Sequence, residues 1–177
     1  KTHPSLEGED LVSIIFNIIN DDSPKSPATG DELAFRKLIE SKCYACMAIS
    51  SLCQDESIVP RIIEVGIIPA LLKLLKVESA ELNIHVAFAF NKLSKLNLTY
   101  HEFRHRQVAS FLTNHTQGTN VHALTYSMAS LRRLCDDKDM RVELIATNAV
   151  NFMAKFCDPQ NIERQREIAT GICHLAL

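Results

Sequence analysis

The stretch Val86-Ala87-Phe88-Ala89-Phe90-Asn91-Lys92-Leu93-Ser94, VAFAFNKLS, decides the fold because its pattern recurs. ACMAISSLC at 45–53, SMASLRRLC at 127–135 and IATGICHLA at 168–176 repeat it, and all four copies follow one another at the same interval. One column holds Leu52, Leu93, Leu134 and Leu175, and three positions earlier stand Ile49, Phe90, Leu131 and Ile172. Before those come the small residues Ala48, Ala89, Ser130 and Gly171, and the last column is Cys53, Ser94, Cys135 and Ala176. This spacing puts the apolar side chains on one helical stripe, with small residues where a neighbouring helix approaches closely. A single such helix leaves its stripe exposed. Stacked copies share a continuous core, as in an α-solenoid.

The segments between the copies complete the unit. DESIVPRIIEVG at 55–66 reads as a short helix, acidic at its start and stopped by Gly66 in a left-handed conformation. IIPALLKLLKV at 67–77 opens with Pro69, tolerated in a first helical turn, and carries apolar residues at helical spacing. A long helix follows near 80–94. Residues 97–105, 107–115 and 119–135 form a weaker copy, as do 138–147, 149–157 and 162–176, with Asn148 in place of the glycine. At the N-terminus LVSIIFNIIN, 11–20, places Leu11, Ile14, Ile15 and Ile18 on one face of a second helix, and a polar insert, 21–32, separates it from its third helix.

This pattern resembles the armadillo repeat. GIIPALLKLL matches the family's Gly-x-Ile-Pro-x-Leu-x-x-Leu-Leu opening of the second helix, and AFNKLS its Ala-Leu-x-Asn-Leu-Ser close of the third, with Lys92 in place of Asn. The resemblance covers residues 42–176 well. It implies an all-α, right-handed armadillo-like α-solenoid of three-helix repeats. One domain is expected over 1–177, with repeats at 9–53 (interrupted by the loop 21–32), 55–94, 97–135 and 138–176. A HEAT-type solenoid is the runner-up, but two-helix units account less well for the short helix before Gly66.

Bulk properties agree with a folded domain. The 177 residues are 46% hydrophobic and 23% charged, with a formal net charge of −2, so no overall basic character calls for nucleic acid. Six Cys in a chain able to bury a large core read as reduced thiols of the cytoplasm or nucleus rather than a secreted disulfide frame. The apolar stretches are too short or too interrupted to span a bilayer. The chain starts at Lys1 without a leader pattern and ends in the helical run REIATGICHLAL, so it is expected to be an excerpt of a longer protein.

Two strings suggest metal chemistry. His101-Glu102-Phe103-Arg104-His105 is an H-E-x-x-H, which on a helix can hold zinc and supply a general base. It falls in the slot of a short first helix, however. The extended peptidase form needs Gly at 108 and His at 111, where Val108 and Phe111 stand. Cys43-Tyr44-Ala45-Cys46 is a C-x-x-C, a conceivable half zinc site. Cys46 and Cys53 nevertheless share columns with Ala, Ser and Met, the mark of small core fillers. The sequence thus predicts no metal, no cofactor and no catalytic residue. Ser23 and Ser26, each before Pro, are candidate phosphorylation sites in the polar insert, although turn chemistry is the simpler reading of both.

In armadillo proteins the third helices line a concave groove that holds extended partner segments, and the resemblance implies that use here. The repeat register assigns three columns to the groove. They are Tyr44, His85, Tyr126 and Glu167; Met47, Phe88, Ala129 and Thr170; and Ser51, Lys92, Arg133 and His174. Importin-like members carry Trp in the second column and Asn in the third, and neither array is present, so a basic import peptide is a poor fit. Tyr126, Phe88 and His85 beside Lys92 and Arg133 suit an acidic, partly apolar segment of another protein. The expected function is a non-enzymatic interaction scaffold. The alternatives are a nucleic-acid-binding module using Arg104, His105, Arg106, Arg132 and Arg133 and, last, a zinc metallohydrolase.

Overall fold

The structure, a computed structural model, describes residues 8–21, 32–115, 120–157 and 160–176; Ser23 and Ser26 lie outside them. The described residues are organised by eleven α-helices without strands. In chain order they are α1 (Gly8–Asn20), α2 (Glu32–Leu52), α3 (Val59–Val65), α4 (Ile67–Leu74), α5 (Ala80–Leu93), α6 (Tyr100–His105), α7 (Val108–His115), α8 (Val121–Leu134), α9 (Lys138–Ala146), α10 (Ala149–Lys155) and α11 (Ile162–Leu175). Helices α2, α5, α8 and α11 hold the four repeated segments and pack side by side in that order. The remaining helices back them on the other side.

The repeat interval sets local structure as well as core positions. Each third helix after α2 starts at a capping residue: the side chains of Ser79, Asn120 and Asn161 accept from the backbone N–H of Leu82, His122 and Arg164. Such caps satisfy amides that have no partner within their helix. The junction between first and second helices repeats too. Gly66, Gln107 and Asn148 occupy equivalent places in successive repeats and have φ values of 85°, 54° and 59°. Asn148 thus takes the left-handed role expected of it, and Gln107 takes the same role despite its Cβ.

The interior runs through the repeats. Leu93 and Leu134 are fully buried and Leu175 nearly so, while Leu52 packs half-buried against the same cluster. Phe90 meets Phe103 edge-on, with ring centroids 5.9 Å apart, joining α5 to α6. Cys46, Cys53 and Cys135 are buried among apolar neighbours, which bears out their role as small core fillers.

Helix α1 differs from its expected facing. Val12, Ile15 and Ile19 are buried, whereas Leu11, Ile14 and Ile18 are exposed. The polar residues Ser13, Asn17 and Asn20 mark the other side of the helix, and Val12, Ile15 and Ile19 face away from them, where α1 packs against α2, α3 and α4. Its C-terminal end is held by Lys42. This buried side chain donates from Nζ to the carbonyls of Ile19 (2.9 Å) and Asp21 (2.7 Å), placing a cation where a helix end presents unpaired carbonyls.

The stack is uneven. Helix α5 lies closely along both α2 and α8, but the α8–α11 junction is much slighter. Those two helices approach at Gly171, where an added Cβ would sit 3.5 Å from Arg132 Cδ and 3.7 Å from Cys135 Sγ. Nearer their N-terminal ends they flank a cavity of about 70 Å³, lined by residues that include Leu124, Met128, Met153, Phe156 and Ile168.

Candidate partner-binding groove

The burial pattern of the third helices follows from their two neighbours. Positions facing adjacent helices are covered, and one strip per helix is left accessible. All twelve residues of the expected columns fall on accessible strips. Tyr44, Met47, Ser51 and Glu167 are exposed, and His85, Phe88, Lys92, Tyr126, Ala129, Arg133, Thr170 and His174 are half-buried.

The centre of the strip is aromatic and basic. Phe88 and Tyr126 meet across the α5–α8 junction with centroids 5.0 Å apart and rings inclined at 60°. One turn along α5, Lys92 Nζ stands 5.0 Å from the Phe88 ring centroid, a cation–π geometry. Lys92 has no carboxylate partner among the described residues. Arg133 is held against the wall instead: Nη1 donates to the carbonyls of Ala129 (3.3 Å) and Asn91 (3.4 Å) and lies 3.5 Å from Ser94 Oγ. Burial lowers its pKa, although the guanidinium stays charged at any ordinary pH. Asn91, one position before the column where the family carries Asn, is buried and donates from Nδ2 to the Tyr126 carbonyl at 3.3 Å. It ties α5 to α8 and is not presented to the groove.

The flanks of the strip are acidic. At the C-terminal side Glu167 lies near Arg133, and His174 Nδ1 is 2.6 Å from Asp136 Oδ1. Asp136 also accepts from Arg132 at 2.8 Å. Burial alone would raise the Asp136 pKa, but the hydrogen bonds from Arg132 and His174 outweigh it and hold the carboxyl below its usual range. At the N-terminal side, Cys43, Tyr44, Met47 and His85 border an open hollow of about 580 Å³ with Glu40, Glu78 and Glu81 around it.

Both metal strings can now be placed. His101 and His105 are exposed on α6, the expected short first helix, and Glu102 accepts from Arg106 Nε at 2.7 Å. In the C-x-x-C, Cys46 points into the core while Cys43 turns toward α5. There its sulfur meets Glu81 and His85, the one group of three metal-ligating side chains that converges among the described residues. Burial, with Glu81 and Glu40 close by, pushes the Cys43 thiol up to about 11. The sequence reading missed this cluster. Its signal was the Glu81/His85 pair one turn apart on α5, which no local motif joins to a cysteine on the preceding long helix.

The arginines that a phosphate backbone would need are already engaged. Arg104 pairs with Asp139 (2.6 Å), Arg106 with Glu102 (2.7 Å) and Arg132 with Asp136 (2.8 Å), while Arg133 is bound to carbonyls. Each would have to leave a partner to meet a nucleic acid.

No family model and no curated protein matches the sequence. Solved structures do match the fold. A designed armadillo repeat protein in complex with the peptide (KR)4 superposes with a TM-score of 0.74 over 94% of this chain, at 16% identity. A second designed armadillo repeat protein, and computationally designed ones for modular peptide recognition, each give 0.75 over 93% at 17% identity. The chain spans 64% of the length of each of these proteins. The protein has an armadillo-like α-solenoid fold.

Proposed function

We propose that this protein is a non-enzymatic interaction scaffold that holds an extended segment of another protein, acidic at its centre, along the strip formed by α2, α5, α8 and α11. The armadillo-like fold is a common peptide-binding scaffold, and designed armadillo neighbours are built for peptide recognition. The observation that carries the reading is the Phe88–Tyr126 pair with the uncommitted Lys92 beside it. Aromatic area gives contact at low entropic cost, and a cation already resting on a ring is paired by a carboxylate without further ordering. A lysine–arginine peptide would meet Lys92 and Arg133 as like charges. No described helix is long and apolar enough to cross a membrane, and the six free thiols fit a reducing compartment, cytoplasm or nucleus.

A displayed library of extended peptides tests the reading. Sequences with Asp or Glu next to an apolar residue should be enriched, and Lys92→Glu with Arg133→Glu should reduce their binding by about tenfold or more. Enrichment of Lys/Arg-rich peptides, or acidic binders indifferent to both substitutions, would refute it.

A further inference from the structure

The convergence of Cys43, Glu81 and His85 has the chemistry of a metal site. A sulfur, a carboxylate oxygen and an imidazole nitrogen from two packed helices all lie within 4.8 Å of one another. Glu81 and His85 are one turn apart on α5 and face α2 together. Cys43 is 4% exposed, so its thiol is held in place by the surrounding core. None of the three side chains has another hydrogen-bond or ion-pair partner among the described residues. Glu40 and Glu78 stand around the same hollow, while the nearby Arg36 is paired with Glu32 at 2.7 Å. The surroundings therefore favour a cation.

We propose that Cys43, Glu81 and His85 bind a zinc ion with three protein ligands, leaving a fourth position open to the hollow at the N-terminal end of the strip. Zinc accepts this mixture of sulfur, nitrogen and oxygen in tetrahedral geometry, whereas magnesium and calcium require oxygen throughout. At zinc–sulfur and zinc–nitrogen lengths of about 2.3 and 2.0 Å, the donors would stand roughly 3.5 Å apart. The exposed Glu81 and half-buried His85 close the remaining gap by changing rotamer, with the backbone of α2 and α5 in place. Binding replaces the Cys43 S–H bond by a sulfur–zinc bond and releases one proton to solvent. The ion clamps α2 to α5 beside Tyr44 and Met47. This site stands independently of what the strip binds.

Titration of the untagged, reduced protein with zinc against a chromogenic chelator, and with cobalt(II) as a spectroscopic probe, tests the assignment. One equivalent of zinc should bind and raise Tm, and cobalt should show a thiolate charge-transfer band with tetrahedral ligand-field absorption. Cys43→Ser and His85→Ala should each weaken zinc binding by at least about tenfold. His85 is partly solvent-facing, so His85→Ala should keep the metal-free helicity and Tm, which separates ligand loss from unfolding. The double variant Cys157→Ser with Cys173→Ser, which removes the exposed thiols, should bind as the parent does. Substoichiometric zinc, full affinity in His85→Ala, or loss of binding with Cys157 and Cys173 would each overturn the site.

Discussion

A single backbone angle shows what the repeat demands of one residue. Gly66 adopts φ 85° freely, because it has no Cβ to crowd the following carbonyl. Gln107 holds φ 54° at the equivalent junction, and its side chain is exposed, so nothing it touches requires glutamine. A left-handed residue with a Cβ costs about 1–2 kcal/mol, part of which glycine gives back as unfolded-state entropy. Gln107→Gly should therefore stabilise the protein by about 0.5–1 kcal/mol, read as a higher Tm. A lower Tm would show that the Gln107 side chain has a structural role after all. The sequence announced the conformation where Gly or Asn occupied the column. It was silent at Gln107, because glutamine is an ordinary residue elsewhere and only the register exposes its burden.

Between elements, the α8–α11 junction rests on few contacts, and Asp136 supplies a polar one. It binds Arg132 on its own side and His174 on the other. Its folded-state pKa is depressed, so its contribution is present above the unfolded carboxyl value and is lost as pH falls through the folded one. Tm should consequently drop on acidification below about pH 4, and Asp136→Asn should lower Tm at neutral pH and flatten that acid limb. Amide exchange in α11 should quicken in the same variant. An unchanged acid limb would refute the link. The accessible side of each third helix was legible in the sequence because the period fixes which positions stay uncovered. The pairing of His174 with Asp136 was not, since it depends on how far two helices diverge. The face of α1 was misjudged for a different reason: its apolar positions were weighed without the polar stripe of Ser13, Asn17 and Asn20, which marks the outward side.

Across the whole molecule, the architecture was readable because one measurement, the interval between copies, recurred in three independent roles. Core leucines, helix caps and left-handed junctions all keep step with it. What the period could not convey was departure from regularity. Cys43 leaves its neighbours' pattern to face two side chains of α5, and the last junction is looser than those before it. Both depend on distances across the stack, which a linear comparison does not contain.

The hollow between α8 and α11 has a mechanical consequence. The hollow is partly open, bordered by the exposed Val121, Thr125 and Glu167, so the junction beside it is loosely packed; parting of the two helices lets solvent fill the gaps between them, which reduces the total volume. Hydrostatic compression should then loosen the last repeat before it disturbs the tight α2–α5–α8 stack. In methyl spectra recorded under pressure, Leu124, Met128 and Met153 should respond earlier than Ile49 and Leu93. A simultaneous response would mean that the solenoid yields as one elastic body.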